Sequence, residues 1–356
     1  MIRLHLVFSS IVAVDTLVAG LPAAARAVRG AAAADGRVSE VAITVLDAKG
    51  EPAQFTRAEI ARLAPTLAVR WFHCDEGQFA DGETPLDGER CAAGDIANAA
   101  LPSSFAAIRD AKSERSQAHD LAALRRAGHA IITATGKPSD GLVSRYINRP
   151  ISRSLSRAVL RIPGVAPIHG TMAALIIGIA MAGFLFFGGP SGVVIGAMLF
   201  QAASVIDGVD GEIARATHRS SQAGARLDTL CDAATNLAFI AGLTFNLWQQ
   251  GEGRTALAGV IGLSLLATGL LLLGWRSKAQ GGALTFDAVK NEFRGEPSRA
   301  KNTLAAITSR DVYALAFALM AAVGFAGEAL IVFACAVAIW LAVIIRVLAT
   351  TSPQQT

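Results

Sequence analysis

The sequence predicts a mainly α protein: a six-helix transmembrane bundle preceded by an amphipathic interfacial helix, plus a small N-terminal α/β domain. Three observations carry that expectation. Of 356 residues, 53% are hydrophobic, too apolar for an ordinary soluble enzyme, and the chain is too long for a bare bundle. Membrane-length apolar runs lie after residue 163, whereas residues 1–138 alternate short β-like runs with Ala-rich helical stretches. Between the two parts, Arg145, Arg149, Arg153, Arg157 and Arg161 recur at four-residue spacing among apolar residues.

In the front part, Leu4–Phe8, Val41–Leu46 and Ala68–Phe72 read as strands, and Leu21–Ala34, Arg57–Leu63 and Ser116–Ala127 as helices. A signal peptide is the competing account of Leu4 to Ala19, but Asp15 interrupts that run and export would oppose the charge topology described below. Cys74, Cys91, Cys231 and Cys335 match no disulfide framework or zinc-ribbon spacing. His73-Cys74 with Cys91 is a conceivable metal cluster; a reduced, cytosolic front part is the simpler reading.

The juxtamembrane segment, 139–162, interleaves its arginines with Leu142, Val143, Tyr146, Ile147, Ile151, Leu155 and Val159, and Pro150 is expected to break or kink it. Two readings stand side by side. The segment is an anchor on anionic lipid, or one or two of its arginines, Arg153 in particular, bind a substrate phosphate.

The bundle domain, 163–350, carries apolar runs at Ile168–Gly188, Gly192–Ile213, Leu227–Trp248, Thr255–Trp275, Val312–Phe325 and Glu328–Leu348, and 351–356 form a tail. The formal net charge of +4 says little, but its placement says more. Basic residues gather at 145–161, at His218, Arg219 and Arg226, and from Arg276 to Arg310, while the opposite turns hold Arg254 alone. By the positive-inside rule both termini and these loops face the cytoplasm of a multi-pass protein of the inner membrane. The basic loop includes Lys278, Lys290, Arg294, Arg299 and Lys301, read as lipid-facing charge, and Arg310-Asp311, opening the fifth span, is the pair singled out from it as lining a pocket.

Chemistry concentrates in Asp207-x2-Asp210-Gly211-x2-Ala214-Arg215-x8-Gly224-x3-Asp228-x3-Asp232, at the cytoplasmic ends of the second and third spans. An Asp at the centre of a membrane helix costs roughly 2.5–3.5 kcal/mol, so four of them imply compensating cations and a hydrated cavity. At about 100° per residue, Asp207, Asp210, Gly211 and Ala214 share one helix face and Asp228 and Asp232 stand one turn apart on another. Two facing helices would present all four carboxylates to one site. Gly208 and Glu212 point away from the carboxylate face and receive no role. Gly211 and Gly224 lack side chains where a bulky ligand would approach the helix backbone, or permit tight helix packing, and Ala214 keeps the carboxylate face shallow. Arg215 binds a phosphate, orients a carboxylate, or anchors the helix at the membrane surface.

This pattern resembles, position for position, the signature of the CDP-alcohol phosphotransferase (CDP-alcohol phosphatidyltransferase) family, a resemblance covering about 139–350. It implies transfer of a phosphoalcohol group from a CDP-alcohol donor, CDP-diacylglycerol or a CDP-polyol, to an acceptor hydroxyl with release of CMP, in phospholipid or polar head-group synthesis. It implies two divalent ions, Mg2+ or Mn2+, with Asp207, Asp210 and Asp228 as ligands. Asp232 would be the general base and would also touch a metal. CDP binding falls to Gly211, Ala214, Arg215 and Gly224, and the acceptor phosphate to Arg153 and Arg310. A homodimer is also implied.

Lys137-Pro-Ser-Asp-Gly-Leu-Val-Ser-Arg-Tyr-Ile-Asn-Arg-Pro-Ile-Ser-Arg153 is similar to the junction in proteins that join a sugar-phosphate cytidylyltransferase to such a membrane domain, inositol-phosphate cytidylyltransferase/di-inositol-phosphate synthase fusions included. Val18-Ala-Gly-Leu-Pro-Ala-Ala-Ala-Arg26 resembles the stretch after the nucleotide loop of those transferases, but no Gly-rich, Arg/Lys-bearing loop precedes it. Residues 1–138 therefore read as a degenerate, inactive nucleotidyltransferase-like domain. The junction favours inositol phosphate or another polyol phosphate as acceptor, and CDP-inositol as an alternative donor. A catalytically silent membrane scaffold is the reading from another class. Nothing suggests nucleic-acid binding, since the basic residues follow the membrane topology without an aromatic platform.

Overall fold

The computed structural model describes residues 2–34, 38–47, 50–73, 84–102, 104–113, 117–137, 140–279 and 309–350. It is mainly helical, with a small N-terminal α/β part and five described helices apolar and long enough to cross a membrane. Two compact units partition the chain: 1–135 with 155–165 and 212–218, and 136–154 with 166–211 and 219–356.

The first unit is built on a parallel sheet. Strands β1 (Ile2–Phe8), β4 (Val38–Val45), β5 (Ala68–His73) and β6 (Thr84–Asp87) take the order β5-β4-β1-β6, and β2 (Leu17–Val18) and β3 (Leu21–Pro22) form a separate antiparallel pair. β1 pairs in parallel with both β4 and β6, so the Leu4–Phe8 run weighed as a signal peptide is a central strand. Parallel strands buried on both faces favour largely apolar runs, and Val41 to Val45 are all buried, Thr44 being the one polar residue among them. Around the sheet lie α1 (Ile11–Asp15), α2 (Ala23–Ala34), α3 (Gln54–Leu63), α4 (Gly88–Ala93), α5 (Phe105–Ser113) and α6 (Gln117–Ala134). Leu6, Phe8, Val28, Val41, Ile43 and Leu124 centre its core. Cys91 packs there, and burial pushes its thiol up to about 12, which suits a small hydrophobe. Its proposed partner Cys74 lies outside the described residues.

At the carboxyl ends of β1 and β6, where this strand order reverses and open α/β sheets bind their ligands, the chain fills its own crevice. Lys112, about 5% exposed, donates to Asp87 Oδ1 at 3.2 Å and pairs with Glu89. The Ser9 amide and hydroxyl both donate to Glu89 Oε1 at 2.6 Å. Asp87 in turn caps α4 through the amides of Glu89 and Arg90.

The last turns of the helix α9 (Gly189–Ala216) belong to this first unit. Arg26 Nη2 donates to Ala216 O at 2.8 Å, and Arg62 donates to Thr217 O at 2.9 Å and His218 O at 3.3 Å. These carbonyls end a helix and lack intrahelical partners, so guanidinium donors suit them. Burial first, then Arg29, Arg26 and Arg62, lower the His218 pKa to about 4. Glu212, assigned no role from its helical phase, is fully buried and accepts the Ser156 hydroxyl at 2.6 Å.

The second unit holds the apolar helices. They are α8 (Pro167–Phe187), α9, α10 (Gln222–Gln249), α11 (Gly253–Ala279), α12 (Arg310–Ala322) and α13 (Ala326–Thr350). All but α12 are long and apolar enough to cross a bilayer; α12 has 13 residues, short of the ~20 needed. Its core stacks aromatic rings, with Phe200 and Phe239 parallel at 4.0 Å and Phe317 edge-on to Phe239 at 5.0 Å.

Pro150 does not break the juxtamembrane helix. Residues 142–159 are continuously helical, with a widened π turn over Ser144–Asn148 and α7 (Arg149–Val159) following it. Proline crowds the carbonyl four residues back, and the wider turn removes that conflict. Leu142, Tyr146, Ile147, Ile151 and Leu155 are exposed, while Asn148, Arg149, Ser152 and Ser156 are buried. The helix thus turns its polar side inward. A four-residue step advances about 40° beyond a full turn, so the five arginines spiral instead of sharing a face. Arg145 and Arg161 are exposed and Arg149 buried.

Candidate active site

Helical phase and close helix contact assemble the site. Asp207 projects from α9, and Asp228 and Asp232 from successive turns of α10. One carboxylate oxygen from each lies within 4.8 Å of the others, and all three residues are half-buried. Oxygens at this separation, from hard donors, fit a divalent cation.

Asp210 stands outside that trio. It is 6% exposed, and its Oδ2 accepts the Thr171 hydroxyl of α8 at 2.7 Å. Beside it, a Cβ on Gly170 would fall 2.8–3.0 Å from Asp210 backbone and Cβ atoms, so α8 and α9 meet almost backbone to backbone. Gly170→Ala is expected to lower stability by about 1–3 kcal/mol through overpacking, measured by thermal unfolding in detergent. Thr171 was not singled out from sequence; its signal is a hydroxyl in the first turns of a span whose one other polar residue is His169.

Arg310, at the start of α12, pairs with Asp232 and lies 3.6 Å from Asp207 Oδ1. Its guanidinium carbon sits 5.7 Å from the Phe200 ring centroid. The structure therefore sets a fixed cation among the clustered carboxylates, which offsets the cost of holding them in an apolar bundle. Asp311 accepts the Ser144 amide at 3.1 Å.

The other expected site residues are placed as follows. Gly211 and Ala214 are half-buried on α9, and Gly224 is exposed in the first turn of α10, its amide donating to the Ser221 hydroxyl at 3.0 Å. Arg215 Nε donates to Thr135 O at 2.7 Å. Arg153 lies against Gly136, and its buried Nε has no hydrogen-bond partner. Gly208 also acquires a contact that its phase did not suggest: its carbonyl accepts Arg149 Nη1 at 3.3 Å. Of the basic loop, Lys290, Arg294, Arg299 and Lys301 lie outside the described residues.

Comparison with known proteins bears on the same stretch. A family model described as CDP-alcohol phosphatidyltransferase matches residues 165–348. A protein of Archaeoglobus fulgidus named bifunctional IPC transferase and DIPP synthase is 37% identical over 119 residues, 33% of this chain and 23% of that protein. A phosphatidylinositol phosphate synthase of Mycobacteroides abscessus is 31% identical over 153 residues, 41% of this chain and 64% of that protein. The match thus spans about a quarter of the first relative and less than two thirds of the second. A crystal structure of Mycobacterium tuberculosis phosphatidylinositol phosphate synthase with CDP-DAG bound superposes with a TM-score of 0.38 at 22% identity, covering 58% of this chain and 96% of that one.

Proposed function

Because the chain belongs to the CDP-alcohol phosphatidyltransferase family, we propose that it transfers a phosphoalcohol group from a CDP-alcohol to an acceptor hydroxyl and releases CMP. The supporting observation is the meeting of Asp207, Asp228 and Asp232 oxygens within 4.8 Å across two helices. Asp207, Asp210, Asp228 and Asp232 are assigned to two divalent ions, Mg2+ or Mn2+. When bound, such ions neutralise the charge gathering on pyrophosphate oxygens.

Asp232 has a second task as general base. It accepts the proton of the acceptor hydroxyl as that oxygen bonds to the phosphorus of the phosphoalcohol group. The bond from this phosphorus to the bridging oxygen breaks, and CMP leaves with the electron pair. A carboxylate with an ordinary pKa of about 3.9 is a weak base for an alcohol, so its contribution rests on position. Donor binding is assigned to Gly211, Ala214, Arg215 and Gly224, and the acceptor phosphate to Arg153 and Arg310. Arg310 pairs with Asp232 here, and exchanging that carboxylate for a phosphate would free the base.

CDP-diacylglycerol or a CDP-polyol is the donor class, with CDP-inositol and inositol phosphate as the second reading, which the name of the Archaeoglobus relative favours. Residues 1–138 are read as a silent nucleotidyltransferase-like domain, supported by the Lys112, Asp87 and Glu89 network at its crevice. CTP turnover by full-length protein would overturn that assignment. In this reading α12 completes a six-helix bundle, residues 142–159 lie along the membrane surface, and the protein is a homodimer in the inner membrane. Both termini and the site then face the cytoplasm, following the basic residues.

The test is CMP release by purified protein given CDP-diacylglycerol or CDP-inositol and a panel of acceptors, with the product identified by mass spectrometry. Release is expected with Mg2+ or Mn2+ and is expected to vanish on chelation with EDTA. No release with any pair would leave the silent scaffold standing.

A further inference from the structure

The juxtamembrane segment contains an ion pair, between its helix and the chain just before it, that the proposed reaction does not use. Arg149 Nε donates to Asp140 Oδ2 and Nη2 to Oδ1, each at 2.9 Å, and the two side chains are only 9% and 11% exposed. Burial would raise the Asp140 pKa, but the hydrogen bonds and charge of Arg149 outweigh it and hold the carboxyl below its ordinary value. A buried pair of this kind costs about as much to desolvate as its attraction returns, so stability alone is a poor reason for it. What a two-point pair does supply is direction, because the planar guanidinium can turn only with its partner.

The remaining nitrogen shows where it is directed. Nη1 donates to the carbonyl of Gly208 at 3.3 Å, on the turn between Asp207 and Asp210. A helix carbonyl has a second lone pair that can take such a bond. The approach depends on glycine: a Cβ there would stand 3.2 Å from Arg149 Nη1 and 3.3 Å from Ser152 Oγ. Two further bonds run along α9, with Gln201 Nε2 donating to Asn148 Oδ1 at 2.9 Å and Asn148 Nδ2 donating to Ser204 Oγ at 3.4 Å. Residues 201, 204 and 208 form one stripe at three- and four-residue spacing, next to the stripe that carries Asp207. The same segment also binds the start of α12, through the Ser144 amide and Asp311.

We propose that Arg149, oriented by Asp140, is a positioning residue that fixes the Asp207–Asp210 turn of α9, so that its carboxylates meet those of α10 at ligand spacing. The inference rests on the metal-site reading given above.

The experiment is Mn2+ titration of full-length protein by electron paramagnetic resonance, alongside kcat and KM. Arg149→Gln, Asp140→Asn and Gly208→Ala are each expected to weaken Mn2+ binding about tenfold. The double variant Arg149→Gln/Gly208→Ala is expected to be no worse than the weaker-binding single variant, since both changes remove one contact. Arg145→Gln, on the exposed side, is expected to bind Mn2+ as the parent does. Unchanged Mn2+ affinity in Arg149→Gln with a raised KM for a phosphorylated acceptor would make Arg149 a substrate ligand and overturn the proposal. So would aggregation of all three single variants while Arg145→Gln stays monodisperse, which would leave a folding role only. Absence of Mn2+ binding by the parent protein would instead remove the metal-site reading and this inference with it.

Discussion

Asp232→Asn is expected to lower kcat for CMP release by about 10²–10⁴, the usual contribution of a positioned general base. Asn keeps the size of the side chain and one oxygen, but it cannot take the proton of the acceptor hydroxyl. KM for the donor should therefore change much less than kcat, the pattern of an interaction made mainly in the transition state. Asp228→Asn is the contrasting variant. It removes a charged oxygen from the trio without touching the base, so its expected signature is weaker Mn2+ binding as well as slower turnover. An Asp232→Asn protein that keeps full activity would refute both the base assignment and the placing of Asp232 among the metal ligands, leaving Asp207, Asp210 and Asp228 as the ligand set.

The second large effect lies in the front domain. Lys112→Met should destabilise it by about 3–5 kcal/mol, because Asp87 and Glu89 would stay buried without the Lys112 ammonium, and the partly exposed Arg90, 4.0 Å from Asp87, replaces it poorly. Hydrogen exchange at β1 and β4 amides in the full-length protein reads this locally; roughly 1.4 kcal/mol corresponds to a tenfold change, so exchange should accelerate by two orders of magnitude or more. The pH dependence has a definite sign. Burial works to raise the Asp87 pKa, but Lys112 and the surrounding hydrogen bonds hold it below the ordinary value. Its stabilising share is therefore full above the ordinary carboxylate range and lost as pH falls through the folded value. The gap between parent and variant should narrow in acid. Glu89 moves the other way, since burial raises its pKa and lets it shed its charge by protonation. Adding Glu89→Gln to Lys112→Met should consequently recover part of the loss.

Much of this architecture was legible because it rests on local periodicity. Val41 to Val45 and Leu4 to Phe8 are apolar except for Thr44 and His5, which are buried 2.6 Å apart, and both runs became inner strands of a parallel sheet. The i, i+4 spacing of Asp228 and Asp232 put both carboxylates on adjacent turns of α10, facing Asp207. Less was legible where contacts span long separations. β6 contains Pro85 and only four residues, too little pattern to mark a strand, and it forms through pairing with β1 far upstream. Asp210 shares a helical phase with Asp207, but phase says nothing about Thr171 of α8, which binds its carboxylate. Arg149 looked like one of five equivalent arginines. The 40° drift per step, together with the π turn before Pro150, makes it the buried one.

The division of the chain bears on how its parts can be exchanged. Residues 155–165 and 212–218 cluster with the front domain, and Arg26 and Arg62 supply donors to the carbonyls of Ala216, Thr217 and His218. A cut near residue 138 or 162 is therefore not clean, because it strips those guanidinium groups from the end of α9 and leaves the carbonyls to water. Grafting this membrane half onto an unrelated leader should succeed only when the new partner offers cations in the same two places. Modularity that is plain in the linear chain is thus limited, in three dimensions, by Arg26 and Arg62 together with the bond from Arg215 to the Thr135 carbonyl.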